Sequence, residues 1–158
     1  MSFTPALTEV DGFKLALHAA PGLENAIAED VAVLKAAGVS AVITTLTEAE
    51  LANFELTALG ETVEAAGLKW FHLPVQDKSL PAEEFDDNWE QAKAQIKALL
   101  NDGQRLSVHC RGGTGRTGLV AAKIVLACSA DFDATVEAIR AARPGALKAE
   151  AQLEYLKS

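Results

Sequence analysis

The chain has 158 residues, the size of one domain, and its 49% apolar and 23% charged residues mark a globular protein rather than a disordered or fibrous one. A net charge of −8 argues against nucleic acid or an anionic membrane as the main partner, because both are held by clustered Lys and Arg. Two cysteines, Cys110 and Cys128, no export signal and no apolar run long enough to span a bilayer make a reducing cytoplasm without structural disulfides the expected setting.

Residues 1–12, with Pro5, Gly12 and little periodicity, read as a loosely held lead-in. Alternation over 13–19 predicts a first strand ended by Pro21-Gly22. Leu23, Ile27, Val31 and Leu34 then space a helix over 23–37, with Gly38 as its left-handed cap. The β-branched run 39–46 suits a strand covered on both faces. Thr47 and Glu50 form a capping box, so a helix should start at 48 and reach 66 in one or two pieces, interrupted near Asn53.

A strand over 68–73 stops at Pro74, and 75–87 reads as an irregular loop of a length that is often functional. A helix over 88–100, a strand over 105–109 and a helix over 115–127 follow, and helices over 134–142 and 149–156, split by Pro144-Gly145, finish the chain. Strand-then-helix repetition predicts the α/β class, a mostly parallel central sheet with helices on both faces. Reactive loops then lie beyond the carboxyl ends of the strands, which is where the Cys110 and Asp77 loops both fall.

Chemistry concentrates in Ser107-Val108-His109-Cys110-Arg111-Gly112-Gly113-Thr114-Gly115-Arg116-Thr117-Gly118, between a strand and a helix. Gly112, Gly113 and Gly115 let the backbone of 111–116 approach an anion, so Arg111, Gly112, Gly113, Thr114, Gly115 and Arg116 are expected to cradle a phosphoryl group. Backbone N–H groups, the helix dipole and Arg116 should keep Cys110 as a thiolate, both a nucleophile toward phosphorus and a good leaving group. Arg116 offers a planar fork to two oxygens, where a lysine would offer a point charge.

Thr117 is placed to donate its hydroxyl to the sulfur, and His109 reads as an orienting residue beneath the loop rather than a base. In-line displacement also needs a proton for the leaving group. Asp77 is the candidate, ahead of Glu83, Asp86 and Asp87, which lead into a helix where acidic residues answer the dipole. Arg111, Arg116, Lys123, Arg140, Arg143 and Lys148 gather in the last third of the chain and suggest a positive pocket on an acidic body.

A nucleotide-binding Walker loop would need glycine at Cys110 and lysine at Arg116. Two alternatives stay open: a rhodanese-type sulfurtransferase, whose cysteine also heads an anion cradle but has no need of Asp77, and a phosphate-recognising module that keeps the cradle without catalysis. Cys128 reads as a buried small hydrophobe, and His18 and His72 as hydrogen-bonded strand histidines rather than metal ligands. Trp70 and Trp89 read as core or pocket-rim residues.

The run from His109 to Thr117 resembles the signature loop of the cysteine-dependent protein tyrosine and dual-specificity phosphatases. Pro74-Val75-Gln76-Asp77-Lys78-Ser79-Leu80-Pro81 is similar to the general-acid loop of their kinase-associated (cyclin-dependent kinase inhibitor 3) type, and Glu50-Leu51 and Arg143-Pro144-Gly145-Ala146 fit other landmarks. The resemblance covers most of the chain from Phe13 onward. It implies one phosphatase-like domain over 1–158 with a central sheet of four or five strands flanked by helices. It further implies metal-independent phosphate-monoester hydrolysis through a cysteinyl phosphate, with no cofactor, on a phosphorylated protein or another phosphate ester.

Larger tyrosine phosphatases place their hydrolytic water with a glutamine-threonine pair and a second glutamine. The corresponding run here is Lys148-Ala149-Glu150-Ala151-Gln152, in which only Gln152 matches. Gln152 is thus a supporting candidate for handling water, with Lys148 and a plain helix-face role for Gln152 as alternatives. Oligomeric state and the identity of the phosphate ester are open at this point.

Overall fold

A computed structural model describes residues 3–158. Five strands, β1 (Ala6–Val10), β2 (Phe13–His18), β3 (Val39–Thr44), β4 (Lys69–His72) and β5 (Arg105–His109), form one sheet in the order β1-β2-β5-β3-β4. Only β1 runs antiparallel to its neighbour; β2, β5, β3 and β4 are parallel. The helices are α1 (Ile27–Ala36), α2 (Glu48–Asn53), α3 (Leu59–Ala65), α4 (Glu83–Asn101), α5 (Gly115–Ala127), α6 (Phe132–Ala142) and α7 (Glu150–Lys157). Among the described residues no helix is long and apolar enough to cross a membrane.

Strand alternation divides the core in two. Leu15, Leu17, Ala41, Ile43, Leu106 and Val108 face α4, α5 and α6, where Phe85, Ile96, Leu119, Ile124 and Ile139 are fully buried. Ala16 and Val42 face α1, α2 and α3 against Val31, Leu34, Leu51, Leu59 and Val63. The sheet is therefore covered on both sides, and β5 lies at its centre with Cys110 immediately beyond its carboxyl end.

Three expectations are corrected. The lead-in holds a strand: Asp11 (φ 50°) and Gly12 (φ 85°) make a two-residue hairpin turn closed by the Val10–Phe13 pair, so Asp-Gly was a hairpin signal; residues 1–2 lie outside the described residues. The first helix starts at Ile27 rather than 23, leaving Leu23 exposed, because the buried Asp30 carboxylate takes the Gly22 N–H (2.8 Å) and the Asn25 amide (3.0 Å) and ties the approach into a turn. The long loop is shorter than expected, since α4 starts at Glu83 with Phe85 and Trp89, one turn apart, both buried in the core.

On the α1–α3 side, one row at the carboxyl end of the sheet is polar: His18, His109, Thr44 and His72 occupy adjacent register positions on β2, β5, β3 and β4. His18 and His109 stack at 5.3 Å and are fully buried, and His18 Nε2 has no partner among the described residues. Burial, helped by the nearby His109 and Arg143, lowers His18 to about 3, and burial, helped by His72 and Arg116, lowers His109 to about 4.

Both imidazoles thus stay neutral in the fold while the unfolded chain takes up protons below about pH 6.5. Their contribution is intact above that pH and is lost as pH falls toward the folded values. Urea unfolding at pH 7 and pH 5 should differ by about 2 kcal/mol for each histidine. His18→Phe should remove the whole of its own share, about half of the combined difference, and equal stability of the unmodified protein at the two pH values would contradict the assignment.

Candidate active site

The cradle is made by turning carbonyls outward. His109 O accepts from the Thr45 N–H (3.1 Å) and Thr45 hydroxyl (2.8 Å), Cys110 O lies 3.0 Å from His109 Nδ1, Arg111 O accepts from Ala20 N–H (3.0 Å) and Gly112 O from Arg143 Nη2 (2.7 Å). In a trans peptide the next N–H points the opposite way, so the N–H groups of 111–113 face the concave side. Gly113 is required twice. Its φ is 83°, and a Cβ there would lie 2.5–2.7 Å from the His18 carbonyl and Ala19 N.

Cys110 Sγ accepts from the Thr117 hydroxyl (3.1 Å) and the Gly113 N–H (3.3 Å). Burial by itself would raise the thiol, but Thr117, Gly113 and the charge of Arg116 hold it below the ordinary cysteine range. Cys128, by contrast, is half-buried rather than buried, and desolvation raises it.

Arg116 is only 5% exposed, and Glu50 from α2 is its counter-ion: Nη1 donates to Oε1 at 2.7 Å and Nη2 to Oε2 at 3.0 Å. Nη1 also donates to Val75 O (2.9 Å), the foot of the loop that carries Asp77. From the sequence Glu50 was legible as a capping residue and, with Leu51, as a landmark of the phosphatase resemblance, but not as the partner of Arg116. It keeps the capping role, accepting at Oε1 from the Thr47 N–H (3.0 Å), so one carboxylate is oriented by its own helix and presented to Arg116. Burial would raise its pKa, but the Arg116 and Thr47 donors hold it low, while Glu50 outweighs burial at Arg116 and keeps the guanidinium charged. A buried arginine needs such a partner, and this need was the available signal.

Asp77 stands on an exposed turn with Oδ1 3.6 Å from Arg116 Nη2. A cavity of about 310 Å³ joins Asp77, Leu80, Gly115, Arg116, Ala149 and Gln152, so the structure brings Gln152 to the same space as the Asp77 loop; Lys148 is exposed and outside that wall. His109 Nε2 lies 2.7 Å from the Thr44 hydroxyl, and His109 is not among the hydrogen-bond partners of the sulfur. Arg111 lies over the Phe54 ring at 5.3 Å, at the rim.

Not every cation gathers here. Lys123 sits over Tyr155 (4.8 Å) and Phe85 (5.9 Å), and Arg140 binds Leu147 O (2.6 Å). The two outer histidines are hydrogen-bonded in the strand row, His18 Nδ1 with Ala19 O (2.7 Å) and His72 Nε2 with Leu46 O (2.6 Å).

A family model described as "Polymorphic toxin system, DSP-PTPase phosphatase" matches residues 18–130. The cyclin-dependent kinase inhibitor 3 of Rattus norvegicus is 28% identical over 150 residues, covering 90% of this chain and 69% of that protein. The PRL-1 phosphatase of Drosophila melanogaster is 29% identical over 153 residues, covering 97% and 81%. The crystal structure of a kinase-associated phosphatase with its catalytic-site cysteine replaced by serine superposes with a TM-score of 0.82 at 21% identity, over 99% of this chain and 93% of that one.

Proposed function

Because the chain belongs to the DSP-PTPase phosphatase family and is a dual-specificity protein tyrosine phosphatase, we propose that it hydrolyses phosphate monoesters of proteins, on tyrosine and on serine or threonine, through a cysteinyl phosphate on Cys110. The observation that carries this reading is the sulfur held by Thr117 and Gly113 beneath a cradle whose Arg116 is locked by Glu50.

In the first step the Cys110 thiolate attacks phosphorus in line and the P–O bond to the alcohol breaks. The N–H groups of 111–113 and the Nε–Nη2 edge of Arg116 hold the three equatorial oxygens, because Nη1 is committed to Glu50 and Val75. Asp77 gives its proton to the departing oxygen. In the second step Asp77 takes a proton from water, the water oxygen bonds to phosphorus, and the S–P bond breaks with its electrons returning to Sγ, where Thr117 donates to the sulfur. Gln152, on the wall facing Asp77, is placed to orient that water.

The sequence carries no long insertion that would deepen the pocket into a slot for phosphotyrosine alone, which supports both phosphotyrosine and the shorter phosphothreonine as substrates. An inositol phosphate would call for more positive charge than Arg111 and Arg116 supply, since the cradle contains no lysine.

The test is hydrolysis of matched phosphotyrosine and phosphothreonine peptides, aryl phosphates and phosphoinositides with a chelator present. Rapid quenching should yield phosphate on the Cys110 peptide. Turnover without a phosphorylated cysteine would overturn the mechanism, and turnover of phosphoinositides alone would overturn the substrate class. The acid step is tested separately. Asp77→Asn should slow an alkyl phosphate by about 10² and a substrate with a strongly acidic phenol much less, and equal losses on both would remove Asp77 from that role. A sulfurtransferase would be indifferent to the same substitution.

A further inference from the structure

Three hydrogen bonds on three strands lead from the edge of the sheet to the active cysteine. Trp70 Nε1–H on β4 donates to Thr44 Oγ1 on β3 (2.8 Å), Thr44 Oγ1 lies 2.7 Å from His109 Nε2 on β5, and His109 Nδ1 lies 3.0 Å from the Cys110 carbonyl. The ends set the direction, because an indole N–H only donates and a carbonyl oxygen only accepts. With a neutral imidazole, one arrangement uses every contact: Trp70 to Thr44, the Thr44 hydroxyl to Nε2, and Nδ1–H to Cys110 O. The other tautomer would set a nitrogen lone pair against the carbonyl and leave the Thr44 proton without its acceptor.

The indole is seated for this contact. Gly60 of α3 gives it room, since a Cβ there would lie 2.7 Å from ring carbons of Trp70. The ring also stacks on His72 at 5.3 Å and 17°, and His72 is itself tied to Leu46 O. The chain ends on one of the carbonyls whose outward orientation makes the anion cradle.

We propose that Trp70 is a positioning residue for the phosphatase reaction: its indole N–H, relayed through Thr44 and His109, keeps the Cys110 carbonyl turned out of the cradle. Trp70 touches neither the sulfur nor the substrate, and its role rests on the reading of Cys110 as a thiolate nucleophile. A carbonyl free to rotate inward would bring a negative dipole toward the sulfur and the phosphoryl oxygens, weakening both the thiolate and anion binding.

The test reads the thiolate without turnover, as the pH dependence of Cys110 alkylation by iodoacetamide, alongside kcat/KM on an aryl phosphate. Trp70→Phe keeps a ring against Gly60 and His72 and removes the donor. Its alkylation midpoint should rise by about half a pH unit, a threefold loss of thiolate below the midpoint, with kcat/KM down about threefold to tenfold, the scale of one neutral hydrogen bond. Thr44→Val should shift both quantities the same way. The double variant should be no worse than Thr44→Val alone, because Trp70 acts only through that hydroxyl.

An unmoved midpoint in folded Trp70→Phe, or losses that multiply in the double variant, would overturn the proposal. Nitrogen-15 NMR of the unmodified protein supplies a check that needs no variant: His109 should carry its proton on Nδ1, and a proton on Nε2 would overturn it. An ordinary thiol midpoint in the unmodified protein would overturn this proposal and the nucleophile together, whereas a depressed midpoint that Trp70→Phe leaves in place overturns this proposal alone.

Discussion

Cys110→Ser is expected to reduce hydrolysis of every phosphate ester by on the order of 10⁵-fold, to the background of the assay. The size follows from what surrounds position 110. Thr117, Gly113 and Arg116 favour an anion already formed, and the two groups hydrogen-bonded to the sulfur, the Thr117 hydroxyl and the Gly113 N–H, are donors that would not take a proton from a serine. His109, the nearest imidazole in sequence, has both nitrogens engaged, with Thr44 and with the Cys110 carbonyl. A serine hydroxyl at neutral pH would therefore remain protonated. The cradle and Arg116 do not depend on sulfur, so the variant should still bind a phosphopeptide, as calorimetry would show. Retention of more than a hundredth of the turnover would remove Cys110 from the mechanism.

Arg116→Lys should lower kcat/KM by about 10³. The guanidinium makes two parallel bonds to Glu50 and one to Val75 O from one plane, which leaves its remaining edge for the phosphoryl oxygens of the proposed reaction. An ammonium has three donors around one point and cannot reach Glu50, Val75 and a substrate oxygen together. Its loss also detaches the foot of the Asp77 loop, so alkyl substrates, which depend most on the acid, should suffer more than acidic phenols. Steady-state kinetics on both substrate types and competitive inhibition by inorganic phosphate measure the effect. A loss under tenfold would show that charge alone, rather than the planar fork, is what the site uses.

The parts of this site that could be read from the sequence are those built from neighbouring residues. A cysteine, three glycines and an arginine between a strand and a helix limit where a backbone can turn, and the start of α5 at Gly115 agrees with that reading. The capping box at Thr47 and Glu50 was equally local. The Asp-Gly turn of the first hairpin was also local, and the low periodicity around it obscured it. Helix starts were less legible at α1 and α4, because each is set by tertiary contacts: Asp30 holding Gly22, and Phe85 and Trp89 entering the core.

The sequence by itself determined the α/β class, the glycine-rich turn between β5 and α5 and the placement of the Cys110 and Asp77 loops beyond the carboxyl ends of strands, because strand and helix periods and glycine spacing act over a few residues. Only the tertiary structure decided which residues support the Cys110 loop. With β5 inserted between β2 and β3, Ala20 reaches Arg111 O, Thr45 reaches His109 O, Thr44 carries a hydrogen bond from Trp70 to His109, and Glu50 meets an arginine 66 positions away. Lys123 and Arg140, near Arg116 in sequence, are directed elsewhere by the same packing. Charge and hydrogen-bond partners are matched across space at distances of about 3 Å, and their separation along the chain leaves no periodic mark.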